Sequence, residues 1–479
     1  MTKIRWKIHK FGGSSLASAD CFKRVAKILL DYDDTRMGVV VSAMGGMTDA
    51  LINLTTQAEQ NDVGFIQALN AIGERYSKTA SSLLKGSAQS SILDAWSTDA
   101  KDIVDLLNSI SLVKSAPQRS RDVVAGYGEV WSARLLSAFL AQESPSRGGT
   151  WVDARNVVVV RDNELGPAVL WPESQRKFEQ ELSDKFSGIA VITGFIAADE
   201  NGLQTTLGRN GSDHSASIFA ALCKASLLTI WTDVDGVMSA DPRLVPEAQV
   251  INCLTYNEAM ELAYFGANVI HPQTLGPAVE NKIPVVIRNS FNSKHPGSRI
   301  EQQSAPSGKI KGITAIGNMA LINLEGSGMI GVPGTADRLF TSLKDAGVSV
   351  TLISQASSEH SICIAVPEKV SSEARNVIIS AFSDELKSGQ IHSVDITNGQ
   401  SIVAVVGDGM AGAPGLAAKF FGTLARAGVN INAIAQGSSE RNISVVIDSS
   451  DATKALRSSH SGFYLSAKTI SIGLIGPGT

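Results

Sequence analysis

Cysteine is scarce in this chain: Cys21, Cys223, Cys253 and Cys363 are the only four in 479 residues, and no two stand at short spacing. That excludes a disulfide framework and a zinc knuckle, and it suits a reducing cytoplasm. An excess of basic charge is also missing. With 46 Asp+Glu against 42 Lys+Arg the net charge is −4, which offers nothing to a phosphate backbone, so no nucleic-acid partner is expected. Long apolar runs are absent. Lys3, Arg5, Lys7 and Lys10 break up the first ten residues, and neither a secretory signal nor a membrane span is predicted, which leaves a cytoplasmic location and no membrane partner. No His/Cys pair has metal-ligand spacing and no Ser-His-Asp set stands out. A protein-held metal is therefore not expected, and Mg²⁺ would arrive with a nucleotide.

What is present begins with Lys10-Phe11-Gly12-Gly13-Ser14-Ser15 after a short apolar stretch. A lysine at a strand end, followed by two glycines and two hydroxyls, suits a phosphate: free backbone N–H groups, one mobile ammonium and no side chain blocking the approach. Phe22, Val25, Ala26, Leu29 and Leu30 then recur at helical spacing, and 37–41 reads as a buried strand. Strand, glycine turn, helix, strand is a βαβ unit, so the fold class is α/β with a mainly parallel sheet. Residues 50–140 read as largely helical. Strands return at 157–160, 189–193, 227–231 and 284–287, with helices at 212–224 and 257–265. The Pro- and Gly-rich stretch 292–312 reads as a linker. Beyond it lies an internal repeat at a constant offset of 81, seen in Pro333/Pro414, Phe340/Phe421, Gly347/Gly428, Gln355/Gln436 and Ile362/Ile443. Each copy reads as helix, glycine turn, strand (348–353 and 429–434), polar turn and second strand. The expected organisation is a catalytic α/β domain at 1–300, small α+β modules at 310–395 and 396–460, and a tail at 461–479. That tail closes on Gly476-Pro477-Gly478, the first half of a dinucleotide fingerprint or a plain terminal turn.

Three further blocks carry chemistry. Leu207-Gly208-Arg209-Asn210-Gly211-Ser212-Asp213 opens a helix, where Ser212 equally suits a cap but Arg209 between glycines offers a bidentate fork to a carboxylate. Thr232 and Asp233 stand at a strand end, where parallel sheets bind ligands, with Asp241-Pro242-Arg243 following. Glu129, in Gly126-Tyr127-Gly128-Glu129, reads as preceding a helix, where a carboxylate also suits the helix dipole.

In order and along the first 267 residues, these blocks together with Val41-Ser42-Ala43, Gly194-Phe195 and Phe265-Gly266-Ala267 resemble the aspartate kinases. The resemblance implies an amino-acid-kinase fold followed by two ACT-type regulatory modules, which is what the repeat looks like. It implies ATP-dependent phosphorylation of the β-carboxylate of L-aspartate, the first step of threonine, methionine and lysine biosynthesis. Carried over by residue, Lys10 would stabilise the phosphoryl group beside Gly12, Gly13 and Ser14, and Asp213 would orient Lys10. Arg209 would take the α-carboxylate and Glu129 the α-ammonium of aspartate, with Ser42, Thr48, Phe195 and Ser212 lining that side. Thr232, Asp233 and Arg243 would hold the nucleotide.

The chain departs from the family pattern at Asn268, where a lysine often stands, and at Met238, where a tyrosine often stands. The first departure predicts weaker ATP use or a substitute cation at the phosphates. It also motivates a rival reading, a catalytically poor domain serving as a threonine-sensing, dimerising scaffold. Gln-x-Ser-Ser-Glu at 355–359 and 436–440 resembles the threonine-sensitive bifunctional aspartate kinase–homoserine dehydrogenases, which implies threonine sites at Gln355 and Gln436 and a dehydrogenase opening at 476–478. Gly128–Arg134 and Trp151–Arg155 look more like the methionine-pathway enzyme, which leaves the effector open. Paired modules with strand edges point to a homo-oligomer.

Overall fold

The computed structural model describes residues 5–163, 166–183, 185–266, 271–303, 309–355 and 360–465. Two compact units divide the chain. The first comprises 1–237, 252–256 and 269–304, and the second 238–251, 257–268 and 305–479.

The first unit is built on an eight-stranded sheet whose centre is Lys7–Phe11. That strand pairs in parallel with Arg36–Val41 on one side and Leu227–Thr232 on the other. Gly188–Thr193 and Gly149–Val152 extend the sheet one way, and Val285–Asn289 the other. Near-continuous burial along these strands is the mark of a parallel sheet covered on both faces. All the parallel strands end on one edge, so the turns after Phe11, Val41, Thr193 and Thr232 converge there, as open α/β sheets arrange their ligand sites. The helices Ala19–Leu30, Met47–Glu59, Phe65–Leu83, Gly86–Val113 and Gln118–Glu143 pack their apolar faces into one core with the sheet.

Two expectations need correction. Glu129 does not precede a helix but sits in the middle of Gln118–Glu143. Gly126 and Gly128 suggest a break, yet at Gly128 the missing side chain is a packing device: a Cβ there would lie 2.8 Å from Ala43 Cβ. The stretch 292–312 is not simply a linker either, since Ser298–Glu301 pairs antiparallel with Val285–Asn289 and buries Ser298 and Ile300. The Ser298 hydroxyl accepts the Val237 N–H at 2.8 Å, a bond that composition does not reveal.

The second unit holds a six-stranded sheet in which the repeats interlock. Gly312–Glu325 and Ser393–Val406 run antiparallel along their length, 312–316 against 402–406 and 321–325 against 393–397. Each repeat adds two outer strands, Ser361–Pro367 with Leu352–Gln355 and Asn442–Asp448 with Ala433–Ala435. The second repeat therefore takes a strand, 312–316, that precedes the first repeat in the chain. The strands expected at 348–353 and 429–434 begin later, because Val348 and Val429 turn into the apolar clusters before pairing starts.

At the centre of the first unit Phe11 and Trp231 stack at 5.7 Å with rings nearly parallel, and Trp231 Nε1 donates to His9 Nδ1 at 3.2 Å. Burial lowers the His9 pKa to about 4. The unfolded chain therefore binds the proton that folded His9 refuses, so stability falls as pH drops from about 6.5 towards about 4. All six tryptophans lie in the first unit, so their fluorescence follows its unfolding alone. We expect the urea midpoint read this way to fall over that pH range, and His9→Gln to flatten the slope. An equal slope in the variant would contradict the assignment to His9.

Candidate active site

At the convergent strand ends a cavity of about 680 Å³ opens in the first unit. Lys10, Gly13, Ser42, Thr48, Glu129, Phe195, Arg209, Ser212 and Asp213 all line it, drawn from segments up to two hundred residues apart.

Lys10, the penultimate residue of its strand, sends its ammonium to Asp213 Oδ1 at 2.8 Å, both side chains being almost withdrawn from solvent. Asp213 lies in the first turn of the helix Gly211–Leu222, whose cap Asn210 takes a left-handed backbone at φ +54°. The positive end of that helix's dipole lies beside the paired lysine ammonium. Gly13 faces the turn after Val41. A Cβ on Gly13 would sit 3.1 Å from the Ala43 carbonyl oxygen, so glycine is what keeps the two loops close and the cradle open. These residues fit a nucleotide's phosphates: one oriented cation, exposed backbone donors and no obstructing side chain. Among the described residues no group of three His, Cys, Asp or Glu side chains is placed to hold a metal. Magnesium would then be carried by phosphate and water oxygens, its usual manner in nucleotide sites.

Opposite lies Glu129, buried on the helix Gln118–Glu143. Burial, only partly offset by the Ala43 N–H, raises its pKa to about 8. Its Oε2 has no hydrogen-bond partner among the described residues. A buried acceptor left bare costs about 1–3 kcal/mol unless a ligand satisfies it, and a cationic donor suits it best. Arg209 is exposed on its glycine loop and, among the described residues, has no ion-pair partner. An ammonium acceptor and a free guanidinium in one cavity match the two ends of an α-amino acid head group. Phe195 completes the wall in the left-handed region at φ +68°, held by its N–H to Ser215 Oγ at 2.9 Å. Non-glycine residues rarely adopt that conformation, and such strain concentrates at ligand sites.

Thr232 and Asp233 lie on the same sheet edge, with Thr232 Oγ1 donating to Asp233 Oδ1 at 3.2 Å and the Gly12 N–H donating to the Trp231 carbonyl at 3.3 Å. Gly12, Ser14, Thr232 and Asp233 flank the cavity without lining it. Arg243 belongs to the second unit, where Asp241 takes its guanidinium at 2.7 Å. Asn268 lies outside the described residues, as does Gly476-Pro477-Gly478. Sequence reading missed Arg121 and Asp122, which line the cavity from the helix that carries Glu129. The available signal was their spacing, eight and seven residues before Glu129, which puts all three on one helix face.

Comparison with known proteins agrees with this geometry. Residues 5–289 match the amino acid kinase family, and 322–382 and 403–463 each match the ACT domain. A bifunctional aspartokinase/homoserine dehydrogenase 1 of Arabidopsis thaliana is 44% identical over 99% of this chain, which spans about half (52%) of that relative. Aspartokinase 2 of the same plant is 31% identical over 95% of this chain and 84% of its own. The crystal structure of E. coli aspartokinase III in complex with aspartate and ADP superposes with a TM-score of 0.80 at 27% identity, covering 96% of this chain and 100% of that one. Kinase fold, ACT repeats and relatives agree, and the chain belongs to the amino acid kinase family, among its aspartokinases.

Proposed function

We propose that this chain transfers the γ-phosphoryl group of ATP to the β-carboxylate of L-aspartate, giving 4-phospho-L-aspartate and ADP. One observation carries the reading: the cavity that holds the Lys10–Asp213 pair also holds the buried Glu129 carboxylate and Arg209, which among the described residues have a bare oxygen and no ion-pair partner, respectively. Arg209 takes the α-carboxylate and Glu129 the α-ammonium, which fixes the amino acid so that its β-carboxylate points to the phosphate side. A β-carboxylate oxygen forms the new bond to the γ-phosphorus while the bond from phosphorus to the ADP oxygen breaks. The acceptor is already an anion, so no proton has to be removed and no protein nucleophile is needed. The work falls to positioning and charge neutralisation. Lys10 neutralises the group in flight, and Asp213 keeps that ammonium in place. Mg²⁺ supplies further neutralisation of the phosphates when bound. Ser42, Thr48, Phe195 and Ser212 shape the amino-acid side, while Thr232 and Asp233 serve the nucleotide side with Gly12, Gly13 and Ser14.

The domain assignment belongs to the same proposal: a kinase domain to about residue 300, then two ACT-type modules that bind an amino-acid effector and associate between chains. Threonine is the effector proposed, because Gln355 and Gln436, equivalent positions of the two repeats, line one cavity of about 420 Å³ in the second unit.

A coupled assay of ADP release with aspartate, ATP and Mg²⁺ tests the central reading, and absence of aspartate-dependent turnover would favour a scaffold instead. Within that assay Asp213→Asn should lower kcat by about 10²–10³-fold, the usual cost of losing a transition-state charge partner. An unchanged kcat would remove Asp213 from the chemistry. The free protein keeps the Glu129 proton up to about pH 8, and an incoming ammonium expels it. The KM for aspartate should therefore fall as pH rises from about 6.5 to 8.5, by up to tenfold per unit at the acid end. Glu129→Gln should raise KM and abolish the dependence; a variant with the wild-type profile would refute the role. Threonine should inhibit, and Gln355→Ala and Gln436→Ala should each shift the inhibition curve. No effect from either places the effector site elsewhere.

A further inference from the structure

The motif Trp151-Val152-Asp153-Ala154-Arg155 takes no part in the chemistry above, yet it is wired to it. Asp153 closes on its neighbour, receiving Arg155 Nε at 2.9 and 3.0 Å on its two oxygens. The remaining arm, Arg155 Nη1, donates to Gln204 Oε1 at 2.7 Å. The other end of the Gln204 amide, Nε2, donates to the carbonyls of Asp122 (3.1 Å) and Val123 (3.3 Å) on the helix that carries Glu129. The amide can face only one way, because arginine offers donors alone and carbonyls acceptors alone. Gly126 makes room: a Cβ there would lie 2.4 Å from Gln204 Nε2. Two residues after Gln204, the Thr206 side chain hydrogen-bonds the Asp122 carboxylate, which also accepts from Gln118 Nε2 at 2.9 Å. Three residues after Thr206 comes Arg209.

One junction thus joins the helix of Glu129 to the arm of Arg209. We propose that Gln204, locked by Arg155, is a positioning residue that sets the spacing between Arg209 and Glu129 and thereby selects substrates carrying both an α-carboxylate and an α-ammonium. This rests on the site reading given above. Gln204 touches no substrate. Its side chain fixes two groups that must be met at once, so shifting it penalises a ligand with both charges far more than a ligand with one.

Two variants test it. Gln204→Ala removes the link. Gln204→Glu keeps the shape and the contact to Arg155 but sets one carboxylate oxygen against two carbonyls, so it breaks the link without emptying the junction; tryptophan fluorescence checks the folding of each. Both should raise the aspartate KM about tenfold or more, the worth of one misplaced charge-assisted hydrogen bond, with kcat within about threefold because binding is lost equally in ground and transition states. The inhibition constant of succinate, which lacks the ammonium, and the ATP KM should move less than about twofold, and Arg155→Ala should follow Gln204→Ala. A merely structural role would weaken aspartate, succinate and ATP together, and that result overturns the inference. So does a wild-type aspartate KM in both Gln204 variants while Arg209→Ala and Glu129→Gln raise it. If Arg209→Ala and Glu129→Gln leave KM unchanged, the site reading itself fails and the inference with it.

Discussion

The structure depends on bringing charges out of water at a single edge of a parallel sheet. The side chains of Lys10 and Asp213 are only 11% and 14% exposed and lie 2.8 Å apart, and Glu129 is buried with one oxygen bare among the described residues. Desolvation of such groups costs several kcal/mol each unless partners are held rigidly in place. The sheet provides that rigidity. Parallel pairing of Lys7–Phe11 with both neighbours fixes where Lys10 emerges, and a large apolar core packs against the sheet behind it.

Close backbone approach is the second constraint, and it explains where glycine sits. Gly13 lets the first loop reach Ala43, Gly128 lets the helix of Glu129 reach the same residue, and Gly126 admits the Gln204 amide. The Ala43 turn is thus touched from two sides, by the loop that follows Lys10 and by the helix of Glu129. In the proposed reaction that shared anchor would link the placement of the phosphoryl donor to that of its acceptor.

Much of this was legible in the sequence, because the signals were local. Lys10 with its glycines, Arg209 between glycines and Thr232-Asp233 at a strand end declare strand-end chemistry without tertiary information, and the offset of 81 declares the repeat. The illegible parts are non-local. Glu129 reads as lying ahead of a helix because glycine ordinarily breaks helices; only the facing Gln204 and Ala43 explain why Gly126 and Gly128 belong inside one. The strand at 298–301 hides in a polar, Pro-rich stretch because one buried hydroxyl, Ser298, fixes it to Val237. The loan of 312–316 to the second repeat cannot be read from a repeat offset at all, since it reverses chain order. Arg121 and Asp122 were visible only once the helix was known to continue through Glu129.

The claim on which the account turns is that the buried Glu129 carboxylate receives the ammonium of aspartate. Isothermal titration calorimetry of aspartate into the wild-type protein, run at pH 7 in buffers of different ionisation enthalpy, counts the protons exchanged on binding. With the Glu129 pKa raised to about 8 in the free protein, the account predicts release of close to one proton per aspartate bound. Binding with no proton exchange would contradict it.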